Sequence, residues 1–322
     1  PAALSFLLQP RPRAEGAGSG TGSASLIQAS APFRATLVCG PNDSQEKLAE
    51  LAQALEEEST LPANAFYGEG EIERGQIAFL FPGQGSQYVG MGRDLFSIFP
   101  EAFASLEKAH QLLDPSQDPA AFIFPISHFD PQEATSWNQA LTATQVAQPS
   151  LGTIESSMAR VLESFGLKPQ ALAGHSYGEL VALERAGVYS QSDLFRLSAL
   201  RGSLMAAGDG GRGAMSALSA PLAKIEALVA EVGGELVLAN RNHPTQGVIS
   251  GPKEAIDQAE ALCKERKITA HRLQVSAAFH SSLMTSARQP FGEALAALEL
   301  KAPQVPVYAN ISAQPYPQSP EE

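Results

Sequence analysis

A chain of 322 residues with 44% hydrophobic and 17% charged side chains can bury one large α/β domain or two unequal ones. Its 22 Lys and Arg against 34 Asp and Glu give a formal net charge of −12, which argues against nucleic acid or an anionic membrane as the main partner. Cys39 and Cys263 lie far apart without CxxC spacing, so neither a disulfide framework nor a metal site is expected and a reducing, cytoplasmic setting is.

No apolar run approaches the roughly 20 residues of a membrane-spanning helix. The sequence opens at Pro1, which is read as excision from something longer. Residues 1–30 end in a Gly/Ser/Ala-rich stretch that reads as flexible linker. "FRATLVCG" from Phe33 predicts a strand, and Ser44–Glu58 a helix with Leu48, Leu51 and Leu55 on one face, so 31–74 form a small βα linker region. "GQIAFLF" (Gly75–Phe81) has the pattern of a strand buried on both faces.

The turn "PGQGSQ" then leads into a largely helical stretch. Leu141–Gly166 reads as one long helical region whose early part Pro149 limits, and "QALAG" as a second buried strand. Strand–helix alternation predicts a parallel sheet with helices on its faces. From "GAMSALS" to "ITAHRLQVS" the order becomes βαββαβ, the ferredoxin-like unit, inserted at 212–275 between 75–211 and 276–322. "VPVYANIS" (Val305–Ser312) reads as one more buried strand, and the Pro-rich tail after it as disordered.

Gly174-x-Ser176-x-Gly178 fits a nucleophile elbow, a sharp strand-to-helix turn that exposes the serine oxygen at a helix N-terminus. A bland reading makes Ser176 a buried turn serine; the strand before and the helix after favour the elbow. The expected fold is therefore α/β, with an α/β-hydrolase-like parallel-sheet large subdomain and an inserted ferredoxin-like small one. The hydroxyl needs a base within about 3 Å. His175 is adjacent but points elsewhere at such a turn, and is read as hydrogen-bonded beneath the elbow. His110, His128, His243 and His271 fall in unpromising elements; His280, in "AAFHSS" where the chain re-enters the large subdomain, is the chosen base. Gly208-x-Gly210-x-x-Gly213 follows a helix and precedes a strand, the reverse of a dinucleotide site, and is read as a turn.

"FLFPGQGSQYVGMG", "AGHSYGELVAL" and "AAFHSSLM", in that order, make the chain resemble the malonyl-CoA:acyl-carrier-protein transacylases. It is most similar to acyltransferase domains of polyketide and polyunsaturated-fatty-acid synthases, and Tyr177 is closer to iterative ones. Residues 31–74 resemble the linker between a ketosynthase and its acyltransferase. The resemblance implies that Ser176 is acylated, His280 takes its proton, and the backbone amides of Gln84 and Tyr177 form the oxyanion hole. It implies that Arg201 binds the acyl carboxylate, with Gln87, Asn242 and His175 as further pocket residues and Phe279 selecting malonyl over methylmalonyl. The implied partners are malonyl-CoA as substrate, the phosphopantetheine thiol of an acyl-carrier protein, and a neighbouring ketosynthase, with no permanently bound cofactor and no metal. In the family the chain runs on past the strand resembling "VPVYANIS" into a segment that helps orient the histidine. Here the sequence ends at Glu322, so no third relay member is assigned. A serine hydrolase such as a thioesterase would add an acid between Ser176 and His280. Asp193, Asp209 and Asp257 lie there but are predicted in a cap, a turn and a helix surface. A non-catalytic docking role leaves the joint presence of Ser176, His280, Gln84 and Arg201 unexplained.

Overall fold

The computed structural model describes residues 33–39, 43–70, 75–208, 213–273 and 278–319, so the linker predicted over 1–30 lies outside the described residues. The chain divides into two units at Gly75. In the first, β1 (Phe33–Leu37) pairs antiparallel with β2 (Ala65–Glu69), and α1 (Ser44–Glu56) buries Leu51 and Ala54, three residues apart on one face. β2 has no counterpart among the predicted elements, because "AFYGE" is short and interrupted by Gly68.

The second unit begins with β3 (Ala78–Phe81), followed by α2 (Arg93–Ile98), α3 (Pro100–Leu112), α4 (Pro119–Ile123), α5 (Glu133–Thr142) and α6 (Thr144–Ser164). β4 (Ala171–Gly174), α7 (Gly178–Arg185) and α8 (Gln191–Ala207) come next. After the elements of the smaller lobe the chain returns as α11 (Thr285–Ala296) and β9 (Val307–Tyr308). Strands β3, β4 and β9 form a parallel sheet in that order, with Phe79 beside Leu172 and Leu172 beside Val307. Those three side chains share one face and pack with Val181 and Ala182 of α7 and Leu194 and Phe195 of α8.

Two expectations about this lobe need correction. β3 is not buried on both faces: it is an edge strand of the described sheet, and Leu80 is 76% exposed while Phe81 is buried. An apolar run records what its side chains are, and not whether a neighbour covers them. The single helical region expected over 141–166 is two helices that meet at Ala143, and Pro149 lies inside α6. A proline there cannot donate to the carbonyl four residues back. Gln117 repairs the gap: its Nε2 donates to Gln145 O at 3.0 Å and also lies 3.0 Å from Ala199 O on α8. A side chain from another segment thus lets the helix continue through its proline. α8 itself starts on a capping box formed by Ser190 and Asp193.

The smaller lobe comprises β5 (Gly213–Ser219), α9 (Leu222–Val232), β6 (Val237–His243), β7 (Gln246–Pro252), α10 (Lys253–Glu265) and β8 (Thr269–Arg272). Its sheet order is β6-β7-β5-β8, antiparallel throughout, with β7 inserted between β5 and β6. This is the split βαβ of the ferredoxin-like unit. Ile225 and Leu228 of α9 and Ile256, Ala259 and Cys263 of α10 pack with Leu218 and Ile249 of the sheet into a separate core. The described part of the Pro-rich tail is not disordered: Tyr316 N donates to Val307 O at 2.8 Å and Ala309 N to Gln314 O at 2.9 Å, folding it back on β9.

Gln117→Ala is expected to lower the unfolding free energy by about 1 kcal/mol, the worth of one internal hydrogen bond. Urea unfolding followed by circular dichroism checks this.

Candidate functional site

Close approach of three backbone segments shapes the turn between β4 and α7. A Cβ on Gly174 would sit 2.0 Å from the carbonyl carbon of Gly178, and one on Gly178 would sit 2.2 Å from Phe81 O. No L side chain fits at either place, which is why glycine brackets the serine. Ser176 itself is held at φ +53°, left-handed backbone that a serine rarely adopts. His175 N donates to Phe81 O at 2.8 Å and so extends the β3–β4 ladder to the elbow's edge.

Asn310, just past β9, clamps this turn. Its Nδ2 donates to Gly174 O at 2.6 Å and its Oδ1 accepts from Ser176 N at 3.0 Å. Its own amide donates to Glu179 Oε1 at 3.1 Å, and Tyr316 Oη donates to the same oxygen at 2.5 Å. Sequence reasoning missed Asn310. The available signal was an amide immediately after a strand predicted to run parallel to the elbow strand, because groups at the carboxyl ends of neighbouring parallel strands converge.

Ser176 Oγ lies 2.8 Å from His280 Nε2. The histidine also has left-handed backbone, φ +61°, and buried Ala278 and Phe279 anchor the segment before it. Its Nδ1 has no hydrogen-bond partner among the described residues. Burial first, then the positive charge of Arg201 and then His175, hold the His280 pKa below that of a free histidine. The ring is therefore kept neutral, able to accept a proton. His175 is not beneath the elbow: it is exposed, and its Nε2 meets Asn242 Oδ1 of the smaller lobe at 2.9 Å, across the cleft. His110 pairs with Asp118 and His243 with Thr245, and neither lines the cavity.

The cleft between the two lobes encloses a cavity of ≈ 250 Å³ whose lining includes Ser176, His280 and Arg201. Gln84, Tyr177 and Phe279 line it as well, and so do Gln87, Asn242 and His175. The structure thus brings all nine sequence-predicted site residues to one place. The backbone amides of Gln84 and Tyr177 donate to no other described residue, and the Gln84 side chain is tied to Thr144 Oγ1 at 3.2 Å. Gln87 is spent locally, its Oε1 accepting from Gly85 N at 2.8 Å. The Arg201 guanidinium is largely buried, with no carboxylate within ion-pair distance among the described residues, and burial lowers its pKa. A desolvated cation without a counter-ion is costly unless an anionic ligand completes it.

Phe279, Met205, Met215 and Val248 form an apolar wall of the cavity. The methionines were missed because nothing in their spacing separates a lining residue from a core one. Tyr177 is 1% exposed, and its hydroxyl shares a 2.6 Å hydrogen bond with Ser198 Oγ on α8, one turn before Arg201. Gly152 of α6 makes room for that hydroxyl, since a Cβ there would lie 2.2 Å from it.

A serine hydroxyl on an elbow, a neutral imidazole in contact with it and two free amides beside it are the parts of a covalent acyl-transfer site. Residues 78–321 match the model of the acyl transferase domain family, and the chain belongs to that family. It is 38% identical over 290 residues to the spectinabilin polyketide synthase system protein NorB of Streptomyces orinoci, covering 90% of this chain and 13% of that one. It is 37% identical over 244 residues to the malonyl CoA-acyl carrier protein transacylase of Bacillus subtilis, covering 74% of this chain and 73% of that one. The acyltransferase domain from the second module of the salinomycin polyketide synthase superposes with a TM-score of 0.76 at 33% identity, covering 92% of this chain and 68% of that chain. A malonyl-transacylase solved in complex with a type II polyketide acyl-carrier protein gives 0.69 at 34% identity, covering 77% of this chain and 78% of that chain.

Three outcomes are expected from this geometry. With an uncharged activated ester, the rate of Ser176 acylation falls on the acid side with a midpoint below that of a free histidine. Arg201→Gln moves that midpoint upward, because one of the charges opposing the imidazolium is gone; stopped-flow pH profiles read both. Asn310→Ala loosens the elbow and lowers the acylation rate roughly tenfold or more, as misplacement of a nucleophile does.

Proposed function

We propose that the protein moves a malonyl group from malonyl-CoA, through an ester on Ser176, to the phosphopantetheine thiol of an acyl-carrier protein. The observation that carries this is the 2.8 Å contact between Ser176 Oγ and His280 Nε2 in the same cavity as the unpaired, largely buried guanidinium of Arg201. A planar guanidinium holds a free carboxylate through two parallel hydrogen bonds, which suits a substrate whose far end is an acid. The names of the Bacillus transacylase and of the solved carrier-protein complex support the same reading.

In the first half-reaction His280 Nε2 takes the Ser176 proton as the oxygen attacks the thioester carbonyl. The amides of Gln84 and Tyr177 receive the negative charge on the carbonyl oxygen. The intermediate collapses, CoA leaves as the thiol with the proton held by His280, and malonyl-Ser176 remains. In the second, the carrier thiol attacks that ester, its proton passes to His280, and the serine hydroxyl is regenerated. Two oriented donors at the oxyanion contribute on the order of 3 kcal/mol each. Phe279 occupies the wall beside the acyl position, where an α-methyl branch would need room; a methyl group discriminates by about 1–3 kcal/mol. CoA enters as part of the substrate, and no resident cofactor has a step in this scheme. The cytoplasm is the setting we infer, where both free cysteines stay reduced, with a ketosynthase as the neighbouring domain.

Hydrolysis to water is less well supported. Asp193 is spent in the α8 capping box and Asp257 in an ion pair with Arg272, while Asp209 lies outside the described residues.

Intact mass after mixing with malonyl-CoA is expected to rise by one malonyl unit, with no gain in Ser176→Ala. Adding holo-carrier protein moves the unit to the carrier faster than to water. Equal labelling of the alanine variant, or loss to water alone, overturns the assignment. Arg201→Ala is expected to cost malonyl loading roughly a hundredfold relative to acetyl loading, the penalty for losing one side of a buried charge pair.

A further inference from the structure

Glu155 lies in the middle of α6 and is 5% exposed. Neither of its carboxyl oxygens has a hydrogen-bond partner among the described residues, and no cation there stands at ion-pair distance. Glu184 on α7, buried to the same degree, shows the contrast: Arg160, Arg185 and Ser156 all donate to it. The acyl-transfer scheme uses neither acid.

Helix packing puts the carboxyl where it is. Residues 148, 152, 155 and 159 recur at helical spacing and share one face of α6. Gln148 on that face meets Met205 of α8, and a Cβ on Gly152 would lie 3.2 Å from Ser198 Oγ, two turns earlier on α8. α6 therefore runs antiparallel to α8, and Glu155 follows toward the first turns of α8. Leu151 and Ala159 beside it belong to the apolar core that also holds Leu194, Phe195 and Tyr177. Burial first, and then a charge on Glu155, raise the pKa of Tyr177, which sets the carboxyl near the residue after the nucleophile.

The charged groups on the elements packed around it are engaged elsewhere. Arg160 and Arg185 hold Glu184 and Glu163, Arg196 holds Asp193, and His110 holds Asp118. Glu179 accepts from Asn310 N and the Tyr316 hydroxyl, Arg201 lines the cavity, and Glu101, Glu107 and Lys108 of α3 reach solvent. A lone carboxylate in this place gives up its hydration for nothing, whereas the neutral acid gives up far less. Burial accordingly pushes the Glu155 pKa well above that of an exposed glutamate.

We propose that Glu155 is a proton-operated latch between α6 and the elbow: protonated, it lets the helix lie against Tyr177, and ionised, it forces the two apart. The backbone amide of Tyr177 is one of the two donors assigned to the oxyanion, so Glu155 is a positioning residue that makes acylation sensitive to alkaline pH. It touches neither the serine nor the substrate. The sign follows from linkage. An unfolded chain ionises this glutamate above about pH 4.3. The folded chain keeps the proton to higher pH, so stability is full below that value and falls as pH rises toward the folded pKa.

The test compares the wild type with Glu155→Gln, which keeps the size and cannot ionise. Infrared spectra at neutral pH are expected to show the C=O band of a protonated carboxyl in the wild type and to lack it in the variant. Urea unfolding at a series of pH values above the ionisation of free glutamate gives a wild-type unfolding constant that rises relative to the variant's by up to about tenfold per pH unit. With an uncharged activated ester, Ser176 acylation falls on the alkaline side in the wild type and holds level in Glu155→Gln. A wild type without the protonated band overturns the proposal even if the variant does not fold. Parallel pH profiles of stability overturn it as well, and so does an alkaline loss of acylation that persists in Glu155→Gln. None of these measurements uses malonyl-CoA, so their failure is distinct from failure of the malonyl reading.

Discussion

The absence of two Cβ atoms governs this molecule. Strand β4, helix α7 and the carbonyl of Phe81 come together so tightly that only glycine fits at positions 174 and 178, and the residue between them is pressed into left-handed backbone. Strain of this kind costs of order 1–3 kcal/mol and persists only where the surroundings over-determine it. The surroundings here are the ladder from β3, which reaches His175, and Asn310, which holds both Gly174 O and Ser176 N. The serine oxygen is presented because the backbone has nowhere else to go. His280, which meets that oxygen, is itself held in left-handed backbone, so both side chains of the contact are set by their backbones.

Charge in the cleft is arranged with similar economy. Arg201 acts in two directions at once. With no carboxylate in ion-pair distance among the described residues, its guanidinium suits an anionic ligand, and its positive charge adds to burial, the larger cause, in lowering the pKa of His280 and keeping the imidazole neutral. The two effects are compatible because a base must be uncharged before it can take a proton. A protein with a net charge of −12 thus keeps a largely buried arginine in its cavity, whose lining holds no acidic residue among the described ones.

Much of this was legible in the sequence wherever sterics or periodicity leave a local mark. The glycine-bracketed serine, the βαββαβ order of the smaller lobe and the face of α1 all depend on near neighbours. What could not be read depends on segments that meet only after folding. Gln117, 28 residues from Gln145, supplies the donor that Pro149 lacks, so a proline that reads as a limit sits within a helix. Asn310, 134 residues from Ser176, serves the elbow although it reads as the end of an ordinary strand. β3 reads as buried because its residues are apolar, yet Leu80 faces outward at a sheet edge. His175 was expected to be tucked under the turn and instead spans the cleft to Asn242, a contact that exists only because a second lobe stands opposite.

The recess that Gly152 leaves for the Tyr177 hydroxyl ties two distant positions into one evolutionary unit. Any larger residue at 152 collides with that oxygen, at 2.2 Å, whereas the ring carbon behind it is 3.5 Å away and would be in ordinary contact. A phenylalanine at 177 would relieve the closest contact of an alanine at 152, leaving Ser198 Oγ, at 3.2 Å, to give by a few tenths of an ångström, so the two sites are coupled. Sequences descending from this one should exchange the pair together, leaving a correlated footprint between a helix and the residue that follows the serine.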